Sequence, residues 1–466
     1  MAARIHRVAR GLVGLIALQA LVAAYWQVWR GPHLAQDPRN PRLLLAEERV
    51  HRGAILDRYR APLAQTQFTA GRPVRVYPAG PLFAHLVGYR NLRLGKTGLE
   101  AALDPVLLGV KRRTPWEVFQ ETLARRLRRG LDVVLTVDPE VQRAAYRALG
   151  GRAGAVVVLD SRDGAVLAMV SAPAFDPNAV ERTWEALRKD AGSPLLNRAT
   201  HGRYPPGSTF KVVTMAAALS RRIATPKTTF FCPGFVAVRG QRITDGEGRA
   251  HGPVTLEDAL VVSCNVAFVQ LGLRTGGQTL REFAAAFGIG TQLPFELPTD
   301  PGHLPTPAEV AGDGVAQMAF GQGSLLVTPL QMAVVAATIA RGGVLPKPYV
   351  VAEVQTPEGR VAERHRPDAG ERILAAEVAE ILRDTMVEVT SRGTGRAAAI
   401  PGVAVAGKTG TATTPGGAPH AWFIGFAPAH TPRVAVAVLV EHGGSGGQTA
   451  APIAREVLVR ALQRIP

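Results

Sequence analysis

Ser208 and Lys211 stand three residues apart in "PPGSTFKVV", directly after Pro205-Pro206-Gly207. At the start of a helix that spacing puts both side chains on one face of the first turn. A serine there can act as a nucleophile, and a neutral lysine can be its base. The serine's own N–H belongs to the donors that a helix start leaves unsatisfied, so it is free to hold an oxyanion. Further on, "VVSCNVAF" supplies Ser263 and Asn265, which face one cleft if they occupy a turn between helices. Ser263 can then shuttle a proton and Asn265 can hold a substrate amide. Near the C-terminus, "GVAVAGKTGTA" carries Lys408, Thr409, Gly410 and Thr411. Read as a strand at the edge of the cleft, it presents Lys408 and Thr409 to substrate and the N–H of Thr411 to the oxyanion. Two lysines brought close depress each other's pKa, which a lysine base needs. Only seven of the 54 basic residues are lysine, yet Lys211 and Lys408 both keep an amine that can deprotonate. Arginine could not deprotonate in that place.

Each motif has an ordinary reading. Ser208 alone is a common helix cap, Lys211 alone a solvated first-turn residue, and a second K-T-G at Lys96-Thr97-Gly98 shows how cheap that triplet is. Residues 402–409 also fit the spacing G-x-x-x-x-G-K-[ST] of a phosphate-binding loop. Such a loop must end in a helix whose N-terminus holds the phosphates. Here Val403 to Ala406 read as strand, and "GTATTPGGAP" follows, where Gly, Thr and Pro oppose a helix. The nucleotide reading is rejected.

Several elements must position these groups. "GAVVVLDSRDGAVLAMVSAP" is two apolar runs around a turn, a hairpin signal, and "GVAVAGKTGTA", "HAWFIGFAP" and "RVAVAVLVEH" read as three further strands. Between them, residues 180–395 are rich in segments with helical spacing of apolar residues, and "TAAPIAREVLVRALQRI" closes the chain as an amphipathic helix. The expected fold is α+β: a mostly antiparallel five-stranded sheet packed with helices over 151–466. Residues 30–150 read as a small, irregular α+β module. Gly11 to Trp29 is 19 residues without a charge. As a helix it spans roughly 28 Å, close to the hydrocarbon thickness of a bilayer. Tyr25, Trp26 and Trp29 form an interfacial belt, and Arg4, Arg7 and Arg10 favour a cytoplasmic tail of residues 1–10. The competing reading is a signal peptide cleaved after Val22-Ala23-Ala24. On either reading the rest of the chain is exported.

The net charge of +17 suits an anionic polymer or membrane surface, while no basic run interleaved with aromatics points to nucleic acid. Cys232 and Cys264 are too few for a disulfide framework, and they, His251, His420 and His442 lack metal-ligand spacing, so no metal or cofactor is expected. Cys264 alternates with Ser263 and Asn265 and should point away from the cleft. Whether it pairs with Cys232 stays open, because nothing in the sequence fixes their separation.

The order S-T-F-K, S-C-N, K-T-G-T resembles that of the penicillin-binding proteins. "RGAILDR", "LTVDPEVQ", "YPPGSTFK", "HGPVTLEDALVVSCNVAF", "AFGQGSLLVTPLQMA" and "AWFIGFAP" extend the resemblance, from about residue 50 to the C-terminus, to the class B, monofunctional peptidoglycan D,D-transpeptidases. "VYPAG" and "KTGLEAALDPVLLG" are similar to a shorter subgroup with a compact pedestal, which makes Lys96 part of a pedestal signature. The resemblance implies a single-pass protein of the cytoplasmic membrane: an anchor at 11–29, a pedestal at 30–150 and an extracytoplasmic transpeptidase domain at 151–466. Its Ser208 would attack the D-Ala-D-Ala bond of a stem peptide on peptidoglycan or its lipid-linked precursor, and β-lactams would acylate it. A further implied partner is a polytopic glycosyltransferase of the shape, elongation, division and sporulation family. No glycosyltransferase domain precedes the pedestal, so a bifunctional class A enzyme is not expected. The rival readings are a D,D-carboxypeptidase, with water as acceptor, and a non-catalytic β-lactam sensor or scaffold. A β-lactamase would need a deacylating glutamate in E-x-x-L-N, absent between Asn265 and Lys408.

Overall fold

The computed structural model describes residues 2–30, 50–69, 72–109, 128–414 and 416–465. Part of the module expected at 30–150, residues 31–49, 70–71 and 110–127, falls outside them. An N-terminal helix, Ala2–Ala24, runs into a π-helical turn at Tyr25–Arg30, so it starts earlier than the charge-free stretch alone indicates. From His6 to Ala24 its mean hydropathy is 1.6, and none of its most apolar window is buried against the protein. Leu12, Leu15, Ile16, Leu18 and Leu21 are all exposed. An apolar surface running round a helix is stable only with apolar surroundings.

The C-terminal part, from residue 139 on, is built on one five-stranded sheet. Helix α1 (Pro139–Leu149) starts at Asp138, whose carboxylate accepts from the N–H groups of Glu140 and Val141, and stops at Gly150 in the left-handed region. Strands β1 (Gly154–Asp160) and β2 (Val166–Ala172) form the hairpin expected around Ser161–Gly164. Five helices relevant to the site follow: α2 (Lys211–Ser220), α3 (Leu256–Val261), α4 (Asn265–Thr275), α5 (Pro329–Ala340) and α6 (Ala376–Ser391). Strands β3 (Ala406–Thr414), β4 (Gly417–Ala427) and β5 (Val434–Val440) and helix α7 (Ala450–Arg464) complete the chain. The sheet order is β2-β1-β5-β4-β3, with every neighbouring pair antiparallel.

Strands β1 and β5 are buried along their whole length, which explains why they read as unbroken apolar runs with no polar alternation. Val156, Val158, Val436 and Val438 pack with Val141 of α1 and Val457 and Leu458 of α7. Val157, Leu159, Ala435 and Ala437 face the other way, into a core shared with α2, α4 and α5. Strand β3 is left at the edge. The strand begins at Ala406, so Val403 to Val405 lie ahead of it, and Lys408-Thr409 sits in mid-strand instead of at a helix start.

The N-terminal region has its own sheet, from strands Ile55–Leu56, Pro62–Thr69, Arg72–Val76 and Asp132–Leu135. Two strands from far along the chain, Val351–Gln355 and Val361–Arg364, extend it at one edge. Its interior holds Glu100, fully buried, between Arg52 and Arg75 at 2.6 Å each. Burial opposes the carboxylate's charge, but the two guanidiniums outweigh it and hold its pKa below the ordinary range. Lys96 bonds both oxygens of Asp104 at 2.8 and 2.9 Å, so the second K-T-G is built into this fold.

Candidate active site

Ser208 lies in a 3₁₀ turn, Gly207–Phe210, and Lys211 is the first residue of α2. The turn is pressed against the edge strand. Gly207 has φ +54°, and a side chain there would come within 2.8 Å of the Thr411 carbonyl oxygen. A β-carbon on Gly410 would lie 3.0 Å from the Pro206 carbonyl oxygen. These close approaches bring half-buried Ser208 beside the backbone of Thr411, and they are why both positions are glycine.

Lys211 is fully buried. Its Nζ donates to the Ser263 carbonyl oxygen at 2.5 Å, to Asn265 Oδ1 at 2.8 Å and to Ser263 Oγ at 3.3 Å. Lys408, also fully buried, reaches the same Ser263 Oγ at 2.8 Å and the Thr409 carbonyl oxygen at 3.0 Å. One hydroxyl therefore joins the two amines. Ser263 holds it there with φ +63°, in the turn between α3 and α4. Burial pulls the Lys211 pKa down to about 8, against the charge of Asp245, which pulls it up. Burial, with Lys211 beside it, takes Lys408 well below the ordinary lysine value. Two ammoniums on one buried hydroxyl repel each other, which disfavours the charged form of Lys408.

Asn265 is the first residue of α4. One of its amide protons goes to the Thr244 carbonyl oxygen at 3.1 Å and its oxygen goes to Lys211, which leaves the second amide proton for a ligand. The sequence reading turned Lys408 and Thr409 toward the same cleft; the structure separates them, as strand alternation requires. Thr409 Oγ1 pairs with Thr394 Oγ1 at 2.6 Å and is 5% exposed, so it supports the strand from behind. Thr411 is exposed, and its Oγ1 accepts from the Gly446 N–H at 3.4 Å.

A second group was not legible from spacing. Cys232, Asp245, His251 and Cys264 bring two sulfurs, a carboxylate oxygen and an imidazole nitrogen within 4.8 Å of one another. Cys232 Sγ is 3.2 Å from Asp245 Oδ2 and 3.6 Å from His251 Nδ1, which is itself 2.9 Å from Asp245 Oδ2. The donors arrive from the end of strand Thr229–Cys232, the residue after strand Gln241–Thr244, the residue before strand Gly252–Thr255, and the N-cap of α4. Two thiols, a histidine and a carboxylate make a donor set able to hold Zn²⁺ tetrahedrally. The sequence reading set His251 and both cysteines aside as lacking metal spacing, and the correction is that tertiary convergence brings them together. Both cysteines are free thiols. Burial pushes the Cys264 thiol pKa up, so a cation would have to displace its proton. As its alternation with Ser263 and Asn265 indicates, Cys264 points into the protein, where its Sγ accepts from the Ala267 N–H at 3.3 Å. Asp245 Oδ1 accepts the Asn265 N–H at 3.0 Å, which couples the cluster to the active turn.

Similarity to known proteins spans nearly the whole chain. Residues 154–459 match the family model described as the penicillin binding protein transpeptidase domain, and residues 52–133 match the penicillin binding protein A dimerisation domain. Peptidoglycan D,D-transpeptidase PbpA of Mycolicibacterium smegmatis is 40% identical, the alignment covering 98% of this chain and 99% of the relative. PbpA of Mycobacterium tuberculosis is 38% identical over the full length of both. The solved structure of penicillin-binding protein A from M. tuberculosis, as a ceftriaxone acyl-enzyme, superposes with a TM-score of 0.84 at 36% identity, covering 90% of this chain and 100% of that one. PBP2 of Pseudomonas aeruginosa superposes with a TM-score of 0.75 at 31% identity, covering 89% and 95%.

Proposed function

Because the chain belongs to the penicillin-binding protein transpeptidase family, we propose that it is a peptidoglycan D,D-transpeptidase in which Ser208 carries the acyl group. The observation that carries the residue roles is the single Ser263 hydroxyl shared by two buried amines, one of them Lys211, three residues after Ser208.

In the reaction, Lys211 in its neutral form takes the Ser208 proton as Oγ attacks the carbonyl of the penultimate D-alanine. In the structure Lys211 is committed to Ser263 and Asn265, and a bond to Ser208 must form as substrate binds, as is common for catalytic contacts without ligand. The tetrahedral oxyanion is held by the N–H groups of Ser208 and Thr411, a reading that the close approach of Gly207 to the Thr411 backbone supports. When the intermediate collapses, the C–N bond breaks and the leaving D-alanine amine takes a proton through Ser263, which Lys408 and Lys211 keep oriented. Asn265 offers its free amide proton to the stem-peptide backbone. An amine on a neighbouring strand then attacks the ester, restores the Ser208 hydroxyl and completes the cross-link. β-Lactams present the same carbonyl in a strained ring and stop at the ester, because the leaving amine remains tethered.

The exposed apolar N-terminal helix supports a single-pass anchor in the cytoplasmic membrane with the catalytic domain outside. Its small and polar residues, Gly14, Ala17, Gln19, Ala20 and Ala24, suit packing against helices of a polytopic glycosyltransferase. The test of the reaction is to supply a D-Ala-D-Ala pentapeptide donor with and without an amine acceptor. Cross-linked product with one D-alanine released per link supports transpeptidation. Free tetrapeptide as the sole product, even at high acceptor, overturns it in favour of a carboxypeptidase.

A further inference from the structure

A strap of residues 197–207 leads from the N-terminal region to the nucleophile. At its start, Asn197 Nδ2 donates to the His85 carbonyl oxygen at 3.1 Å. At its end, the Gly207 N–H donates to the Gly321 carbonyl oxygen at 2.8 Å, one residue before Ser208. Its outer side is not packed solid: Asn197, Thr200 and His201 border a cavity of about 450 Å³ walled by Tyr89, Phe175 and Trp184. Backbone bonds hold its middle, from the Leu330 N–H to the Ala199 carbonyl oxygen at 3.0 Å and from the Asp300 N–H to the Thr200 carbonyl oxygen at 2.8 Å, and side-chain bonds hold it at Arg198 and Tyr204.

We propose that Glu441 is the clamp that holds it, and so a positioning residue for acylation; this rests on the reading of Ser208 as nucleophile. Glu441 follows β5 directly, and its own N–H is tied to the Ala153 carbonyl oxygen at 2.8 Å, so the carboxylate projects from a rigid base. Its Oε1 accepts from Arg198 Nε at 2.9 Å and from the Tyr204 hydroxyl at 2.6 Å. Oε2 accepts from the Arg198 guanidinium at 3.4 Å. The guanidinium is 4% exposed and spends its other donors on the Ser193 and Gly192 carbonyl oxygens at 3.0 and 2.7 Å. One carboxylate therefore grips the strap at two points six residues apart.

The grip reaches the nucleophile through Tyr204. Its backbone exchanges hydrogen bonds with Val327 at 3.0 and 2.9 Å, and its ring meets Trp422 and His420 edge-on at 6.3 and 5.3 Å. Trp422 Nε1 in turn donates to the Pro205 carbonyl oxygen at 3.0 Å. From Tyr204 to Ser208 lie only Pro205, Pro206 and Gly207. Proline removes backbone freedom, so a shift at Tyr204 is passed on and not absorbed. An attack geometry misplaced by about 1 Å costs on the order of a hundredfold in rate.

The experiment uses the purified full-length protein and a chromogenic cephalosporin, separating the non-covalent constant K from the acylation rate k2. Glu441→Gln keeps an acceptor for Tyr204 but removes the charge that pairs Arg198. It should lower k2 by roughly tenfold or more, the worth of a charge-assisted hydrogen bond, with K within about twofold. Tyr204→Phe, which removes one hydroxyl and little packing, should lower k2 less. The double variant should fall short of the product of the two, because both act through one carboxylate. Wild-type k2 in Glu441→Gln or a fully multiplicative double variant overturns the proposal, as does a loss of k2 matched by an equal loss in K and in the folded fraction. If the wild-type adduct maps away from Ser208, the nucleophile reading fails instead, which peptide mapping of the same samples distinguishes.

Discussion

The acylation rate should rise with pH through about 8, because the base is a lysine and only its neutral form accepts the Ser208 proton. Burial lowers the Lys211 pKa from 10.5 to about 8. That is about 3 kcal/mol of differential stabilisation of the neutral amine, at 1.36 kcal/mol per unit. At pH 7 about a tenth of Lys211 is then neutral, against roughly three in ten thousand for an unperturbed lysine, so burial contributes a factor of about 300 to the active fraction. The sign follows from the lowered value: below about 8 the amine is charged and the rate falls tenfold per unit, and above it the rate levels off. Stopped-flow acylation by a penicillin between pH 6 and 9.5, with circular dichroism confirming the fold at each point, reads the profile. Lys408→Met supplies the control. Burial, not Lys408, lowers the Lys211 pKa, so removing Lys408 should lower the plateau through the lost contact to Ser263 but leave the midpoint near 8. A flat profile across this range, or a rate still climbing tenfold per unit at pH 9.5, would refute Lys211 as the base in this environment.

Gly410→Ala places a methyl 3.0 Å from the Pro206 carbonyl oxygen and the Thr209 methyl, so the nucleophile turn must move off the edge strand; penicillin acylation should fall at least tenfold with little change in thermal midpoint, and an unchanged rate contradicts the packing argument. The Cys232, Asp245, His251 and Cys264 donors predict close to one zinc per chain by elemental mass spectrometry of protein purified without chelator, and a lower thermal midpoint after chelation at neutral pH. Zinc retained at the same level in Cys232→Ala/Cys264→Ala would count against that site.

The sheet was legible because strands covered on both faces read as apolar runs: "GAVVVLD" and "VAVAVLV" announce burial without needing a partner. The helical middle was legible for a similar reason, since periodicity is local. The structure brings together Lys211, Ser263, Asn265 and Lys408, each of them in a short motif with a fixed local shape, and Ser208 lies in the turn that leads into Lys211. What the sequence hides is convergence between distant segments. Nothing near Val351–Arg364 says that these strands complete a sheet begun three hundred residues earlier. Nothing in "TFFCPGF", "ITDGEG" or "RAHGP" says that three loops meet at Cys264, and Glu441 follows an apolar strand with no sign of its grip on Arg198 and Tyr204. Thr409 was misdirected for another reason: a K-T-G read as a unit suggests one shared direction, while a strand sends neighbouring side chains to opposite faces.

Intact mass and peptide mapping after exposure to a labelled penicillin test the central claim most directly. One adduct per chain should form, slow to hydrolyse, on the peptide containing Ser208. Ser208→Ala should lose it, and Lys211→Arg should nearly lose it while keeping its charge, because guanidinium cannot serve as the base. Lys96→Ala, in the second K-T-G where the lysine pairs with Asp104, should keep it. Label that persists in Ser208→Ala, or that maps to a peptide without Ser208, would contradict the account.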